Sequence, residues 1–305
     1  MKSRKKTTET LRHREKISFS ASILLAALLL IFAGVEDRIE KEMQKFGATS
    51  VGIYYEDFAG KIFVYNADKV FHAASTMKVP VMMEVFRQVE AGRLKLDQPV
   101  LVKNEFRSIV DGSAYALSAA DDSDTDLYKQ TGTMLSLRQL LERMINRSSN
   151  LATNLIIQLV DAKNVMALMS KIGAKDITVL RGVEDEKAYE AGKNNTTSAR
   201  ALATCLKAIQ TSDLFSKASR DQMFEILRSQ QFRSGIPTGL NEKEAGLLIG
   251  NKDGWITEIS HDSAIIKDKT GRVAYMVILT EGVKEEQDVK GKQLVASLAH
   301  LLWHS

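Results

Sequence analysis

His72-Ala73-Ala74-Ser75-Thr76-Met77-Lys78-Val79-Pro80 marks the point where the chain changes its pattern. From Ser75 to Ala91 the apolar residues recur three and four apart and the run stops at Gly92, which predicts a helix opening at the serine. Before this stretch, Val51 to Tyr55 and Ile62 to Tyr65 read as two strands joined by a turn around Asp57, Ala59 and Gly60. Earlier still, Glu36 to Phe46 carries Ile39, Met43 and Phe46 at helical spacing. After it, from about Leu94 to Asp213, the pattern is mostly helical, with apolar faces over Ser136 to Asn146, Leu151 to Val160, Val165 to Ile172 and Ser198 to Ile209. Strand character returns at Leu247 to Asn251, His261 to Lys267 and Val273 to Thr280, and an amphipathic helix follows from about Val289 to Leu302. Sheet-forming ends that enclose helices predict an α+β chain: one antiparallel sheet flanked by terminal helices, plus an inserted all-helical lobe. The expected division is a sheet lobe over about 36–74 and 214–305 and a helical lobe over about 75–213, with the active site in the crevice between them.

A chain of 305 residues that is 44% hydrophobic and 26% charged can bury a core of this size and is not disordered. The one long apolar run, Ile17 to Val35, follows seven cations: Lys2, Arg4, Lys5, Lys6, Arg12, Arg14 and Lys16. That order reads as an export signal or a membrane anchor over residues 1–35, ahead of a catalytic region 36–305 outside the cytoplasm. Phe32-Ala33-Gly34-Val35 is a poor cleavage site, so an uncleaved anchor touching the membrane through residues 17–35 stays open beside a cleaved signal. Without residues 1 to 16 the charge falls from +4 to −1, 35 Lys/Arg against 36 Asp/Glu. The basic balance therefore belongs to the leader, and no nucleic-acid surface is expected. Cys205, the only cysteine, lies on the helical apolar face of Ala201, Leu202, Leu206 and Ile209 and reads as a buried, inert thiol.

Three short elements carry chemistry. Ser75 and Lys78 are one turn apart, so the amine can sit beside the hydroxyl, and the helix N-terminus favours a developing oxyanion. Alone, this spacing also fits an N-cap serine with a solvated lysine. In Arg147-Ser148-Ser149-Asn150-Leu151, a Ser and an Asn two apart lie on a tight loop between helices, where helix punctuation is the plainer explanation. In Gly250-Asn251-Lys252-Asp253-Gly254-Trp255, a strand ends in a Lys, and Gly254 permits close approach to the backbone; a simple turn would look the same. Lys269-Thr270-Gly271 is a rival to the third element. It lies between two strand runs with a glycine at the turn position, so it reads as a hairpin tip, and Lys252 is preferred.

In this order the elements resemble the S-x-x-K, S-D-N and K-T-G motifs of class A β-lactamases and penicillin-binding proteins. The resemblance spans about Glu36 to Trp303, and extends to Arg181 and Asn195-Thr196-Thr197-Ser198-Ala199, which resemble the two ends of that family's Ω-loop. It implies a β-lactamase/transpeptidase-like fold and a serine hydrolase that works through an acyl-enzyme, without a cofactor or metal. By the same resemblance Ser75 is the nucleophile, Lys78 its activating base, and Ser148 the proton relay to the leaving nitrogen. Asn150 and Lys252 hold substrate, and the N–H groups of Ser75 and Trp255 form the oxyanion hole. The implied partner is a β-lactam or cell-wall peptide, taken by a monomer. A D-Ala-D-Ala peptidase or cell-wall amidase uses the same motifs, and a catalytically quiet envelope-peptide binding module is a rival of another class.

The chain departs from that pattern in several places. The deacylating Glu of class A enzymes falls on Val183, followed by Glu184, Asp185 and Glu186, with Lys187 where an Asn is usual. Glu184 is the best substitute for that base. Ser149 stands in place of an Asp, a mild change, and Asp253 stands in place of a Thr or Ser. A hydroxyl there donates to a β-lactam carboxylate, whereas an ionised Asp repels it. His261-Asp262 is no triad, because neighbours in a strand face opposite ways; one of the two supports the strand of Lys252, and His72 packs.

Overall fold

The computed structural model describes residues 34–284 and 289–305. The leader expected over residues 1–35 lies outside them, apart from Gly34 and Val35, which lie in helix α1 (34–46). No helix among the described residues is long and apolar enough to cross a membrane.

Strands β1 (Ser50–Glu56) and β2 (Ile62–Tyr65) precede the short β3 (Phe71–His72), a 3-10 turn (Ala74–Met77) and α2 (Lys78–Glu90). The middle of the chain holds β4 (Pro99–Leu101), β5 (Phe106–Arg107), β6 (Ala114–Tyr115), α3 (Thr125–Tyr128), β7 (Met134–Ser136), α4 (Leu137–Asn146), α5 (Asn150–Val160) and α6 (Ala162–Ile172). Then come α7 (Glu186–Glu190), β8 (Thr196–Thr197), α8 (Ala199–Thr211), α9 (Lys217–Arg228), α10 (Ile236–Gly239) and α11 (Glu242–Ala245). The chain closes with β9 (Leu248–Ile256), β10 (Ile259–Lys267), β11 (Val273–Glu281) and α12 (Val289–Trp303).

Among the described residues the main sheet has five strands in the order β2-β1-β11-β10-β9, each paired antiparallel. Successive side chains leave opposite faces of a strand, so each strand serves two cores. Ile53, Ala264, Ile266, Met276 and Ile278 face the terminal helices, packing with Ile39 of α1 and Leu294, Leu298 and Leu302 of α12. Tyr54, Ile265, Tyr275, Val277 and Leu279 face the helical side, joining α2, α4, α5, α6, α8 and α9 in one core. A fully buried aliphatic side chain contributes about 1.5–3 kcal/mol, so this double-sided burial fixes the strand register. The β10–β11 turn has Asp268 accepting from the N–H groups of Thr270 and Arg272, with Gly271 at φ +85°.

Three features differ from the sequence expectation. The helix of the opening stretch does not begin at Ser75: a 3-10 turn comes first, and α2 starts at Lys78. Helix α9 is additional to the sequence expectation, although its buried Met223, Ile226 and Leu227 stand three and four apart; Ser216 caps it by accepting from Ser219 N–H. The strand of Lys252 does not end there but runs on to Ile256, since Trp255 pairs with Ser260 across a two-residue turn.

Candidate active site

The tightest constraint on the site is the turn that carries Ser75. Ala74 adopts φ +44°, a left-handed conformation that costs a non-glycine residue of order 1–2 kcal/mol. Its N–H donates to His72 Nδ1 at 3.1 Å, while the Thr76 hydroxyl donates to the Ala73 carbonyl at 2.6 Å. The turn leaves Ser75 partly exposed and runs directly into α2. β3 pairs with β8 through Phe71 and Thr197, so the far end of the loop 181–195 is tied to the strand just ahead of the serine.

β9 is the edge strand of the sheet, and it passes over this turn at contact distance. A Cβ on Gly254 would come within 2.8 Å of Ser75 N and 2.9 Å of Thr76 N, closer than carbon and nitrogen can pack. Only glycine lets the strand lie here. Asp262 holds β9 from behind: Oδ1 accepts from Asn251 Nδ2 at 3.0 Å and Oδ2 from Ile236 N at 2.9 Å. Burial pushes its carboxyl up to about 7. His261 donates from Nε2 to the His72 carbonyl at 2.9 Å, and its Nδ1 accepts from Thr280 N at 3.1 Å. Desolvation lowers the imidazole to about 4, so both ring nitrogens serve structure and neither serves a triad.

Lys78 is wholly buried at the first position of α2. Its amine does not bond Ser75, contrary to the i, i+3 expectation. It reaches across to the next lobe element instead, donating to the Ser148 carbonyl at 2.6 Å, Ser148 Oγ at 3.1 Å and Asn150 Oδ1 at 2.9 Å. Desolvation, then the nearby Lys252 charge, lower the amine to about 7, against the pull of Asp122, Asp253 and Glu184. Ser148 is bent into this position by φ +54°, and Ser149 caps α5 by accepting from Ala152 N.

The acidic run of the loop 181–195 is resolved by a single torsion. Val183 is clamped on both sides by Asn154, whose Oδ1 accepts from its N–H at 2.7 Å and whose Nδ2 donates to its carbonyl at 3.0 Å. Glu184 then takes φ +58°, and its Oε1 accepts from Asn150 Nδ2 at 2.7 Å. Burial raises its carboxyl, opposed by the Asn150 hydrogen bond. The other two acids point elsewhere. Asp185 caps α7 and accepts from Ile109 N, and Glu186 is exposed. Lys187 pairs with Asp111 at 2.7 Å, away from the site. The Arg181 guanidinium donates to the oxygens of Gly182, Lys193 and Asn194, and the loop neck is closed by Asn195 against Leu180 and Arg181.

Lys252 and Asp253 form an ion pair on adjacent residues, with Lys252 Nζ 2.8 Å from both Asp253 Oδ1 and the Asp253 carbonyl. Lys252 is fully buried, whereas Lys269 is exposed in the β10–β11 turn. Substituting each by Ala separates the two: acylation should fall at least about tenfold at Lys252 and stay unchanged at Lys269. The reverse pattern would show that the wrong lysine lines the cleft. Trp255 is half exposed at the strand end. The thiol of Cys205 is buried against the Met169 sulfur, and desolvation raises it.

Two supporting residues escaped the sequence reading. Asp122 Oδ2 accepts from Asn150 N and Leu151 N, both at 2.9 Å, and so anchors the α5 N-terminus beneath Lys78; its setting in Asp121-Asp122-Ser123-Asp124 gave no signal. Asn154 was detectable in principle, standing four residues after Asn150 and hence on the same helix face.

Comparison with known proteins agrees with this geometry. The model of the β-lactamase enzyme family matches residues 34–305. A β-lactamase of Proteus vulgaris is 25% identical over 295 residues, 92% of this chain and 90% of its own length. A β-lactamase of Rhodobacter capsulatus is 23% identical over 294 residues, 94% of each chain. Among solved structures, the β-lactamase from Sphaerobacter thermophilus superposes with a TM-score of 0.73 at 25% identity, covering 90% of this chain and 97% of that one. PBP-A superposes at 0.72 with 23% identity, covering 89% and 95%. With the serine turn, the buried lysine and the edge strand in the same fold, and with the family match running through the whole described region, this chain belongs to the β-lactamase enzyme family.

Proposed function

We propose that the protein is an exported serine hydrolase of the class A type that opens a β-lactam or related amide through an acyl-enzyme on Ser75. The observation that carries this reading is the Lys78 amine, buried, lowered to about 7, and bonded to Ser148 and Asn150 beside the Ser75 turn. An amine so placed loses its proton near neutrality and can act as a general base. Lys78 takes the Ser75 hydroxyl proton, directly or through water, as the Ser75 Oγ–acyl carbon bond forms. The N–H groups of Ser75 and Trp255 hold the oxyanion. The carbon–nitrogen bond then breaks, and the proton passes through Ser148 to the leaving nitrogen. Water activated by Glu184 attacks the ester, the Ser75 Oγ–carbon bond breaks, and the hydroxyl regains its proton. Asn150 and Gly254 border the substrate, and Lys252, paired with Asp253, holds that carboxylate in place on β9. The ligand is a small molecule or cell-wall peptide, taken by a monomer, and residues 1–35 direct export or hold the protein at the membrane.

The test is to incubate the full chain with a fluorescent penicillin and follow labelling and release by mass spectrometry. A Ser75 adduct that forms and decays is expected. Labelling at Ser148, or equal labelling of a Ser75→Ala protein, would remove the nucleophile and the reading with it.

A further inference from the structure

Asp253 stands where chemistry meets recognition. Its neighbour Gly254 packs on the Ser75 turn, and consecutive Cα atoms are about 3.8 Å apart, so Asp253 borders the point at which a scissile amide must lie. Lys252 is wholly buried and spends its amine on Asp253 itself, donating to Oδ1 and to the carbonyl at 2.8 Å each. The positive charge is therefore balanced inside the pair, not offered to a ligand. Among the described residues Asp253 Oδ2 accepts no hydrogen bond, which leaves an ionised oxygen able only to accept. Arg233, beneath the strand, is committed to Glu242, the Ile249 carbonyl and Asn251. Lys292 stands over the outer Trp255 ring, 5.6 Å from its centroid.

We infer that the substrate bears, beside its scissile nitrogen, a neutral or cationic group that donates a hydrogen bond, and that Asp253 selects it by accepting that bond. This rests on the acyl-enzyme reading above. A carboxylate at that position meets a second carboxylate and an ammonium already in use, whereas an amide N–H or an amine meets a charge-assisted acceptor. Selectivity thus comes from repulsion of one class as much as attraction of the other.

The experiment compares benzylpenicillin with its primary carboxamide, each acylation rate of the full chain divided by that probe's own hydroxide hydrolysis rate. The carboxamide should be preferred by about tenfold, a 1.4 kcal/mol difference. Asp253→Thr should reverse the preference, and Asp253→Asn, which keeps an oxygen for Lys252, should abolish it. A wild-type preference for the free acid, or a ratio unmoved in both variants, overturns the inference alone; loss of that acid preference in Lys292→Ala would assign the carboxylate to Lys292. Absence of any Ser75 adduct with either probe overturns the acyl-enzyme reading and this inference together.

Discussion

Lys78→Met should slow acylation of Ser75 by about 10²–10⁴-fold, the usual contribution of a general base, without unfolding the protein. Methionine has nearly the shape of lysine without its charge, and the pocket is closed to solvent. What is lost is the proton acceptor. As a cation the amine can donate three hydrogen bonds, and Ser148 O, Ser148 Oγ and Asn150 Oδ1 use all three. Losing one proton frees a lone pair for the Ser75 proton. The active form is thus the neutral amine, so the wild-type acylation rate should climb with pH through about 7 and level off above it. In Lys78→Met the Ser148 carbonyl, the Ser148 hydroxyl and the Asn150 amide oxygen lose a donor, at about 1–3 kcal/mol, which a thermal unfolding scan will register as a modest shift. Acylation that is flat from about pH 5.5 to 9, or that survives Lys78→Met, would assign proton removal to another group.

Glu184→Gln should leave acylation nearly intact and slow release of the acyl group by about 10²–10⁴-fold, so that the adduct accumulates on Ser75. Glu184 shares Asn150 with Lys78, its carboxylate on Nδ2 and the amine on Oδ1, which puts the two titrating groups on opposite sides of one amide. Gln retains the size of Glu but cannot take a proton from water. Because burial raises the carboxyl above the usual glutamate range, deacylation in the wild type should already decline on the acid side at a pH higher than an exposed glutamate would give. Decline occurs as pH falls, since the ionised form is the base. Unchanged release in Glu184→Gln, read by time-resolved intact mass, would remove it from the cycle.

The order of elements was legible without coordinates, because core-facing residues repeat at the period of the element that buries them. Val273 to Thr280 announced a strand, and the structure buries its two faces in two different cores. Asp268 to Arg272 announced a hairpin turn by its glycine, which placed Lys269 at the surface. Cys205 announced its burial by the helical face around it.

What the tertiary structure alone decided is which polar atoms meet. Lys78 passes over its own neighbour Ser75 to bond residues 70 and 72 positions away, because α5 packs against α2 and brings the Ser148–Asn150 turn to the amine. Val183 occupies the place where a carboxylate was sought, yet one left-handed torsion at Glu184 turns that side chain toward Asn150. Lys252 and Asp253 leave opposite faces of an ideal strand, yet in the folded protein the buried Lys252 amine lies 2.8 Å from the Asp253 carboxylate. Hydrophobic burial acts through periodic, local patterns that the chain displays along its length. Hydrogen bonds between buried polar atoms depend on distances of tenths of an ångström and on single backbone torsions, and these exist only once the helices and strands are packed together.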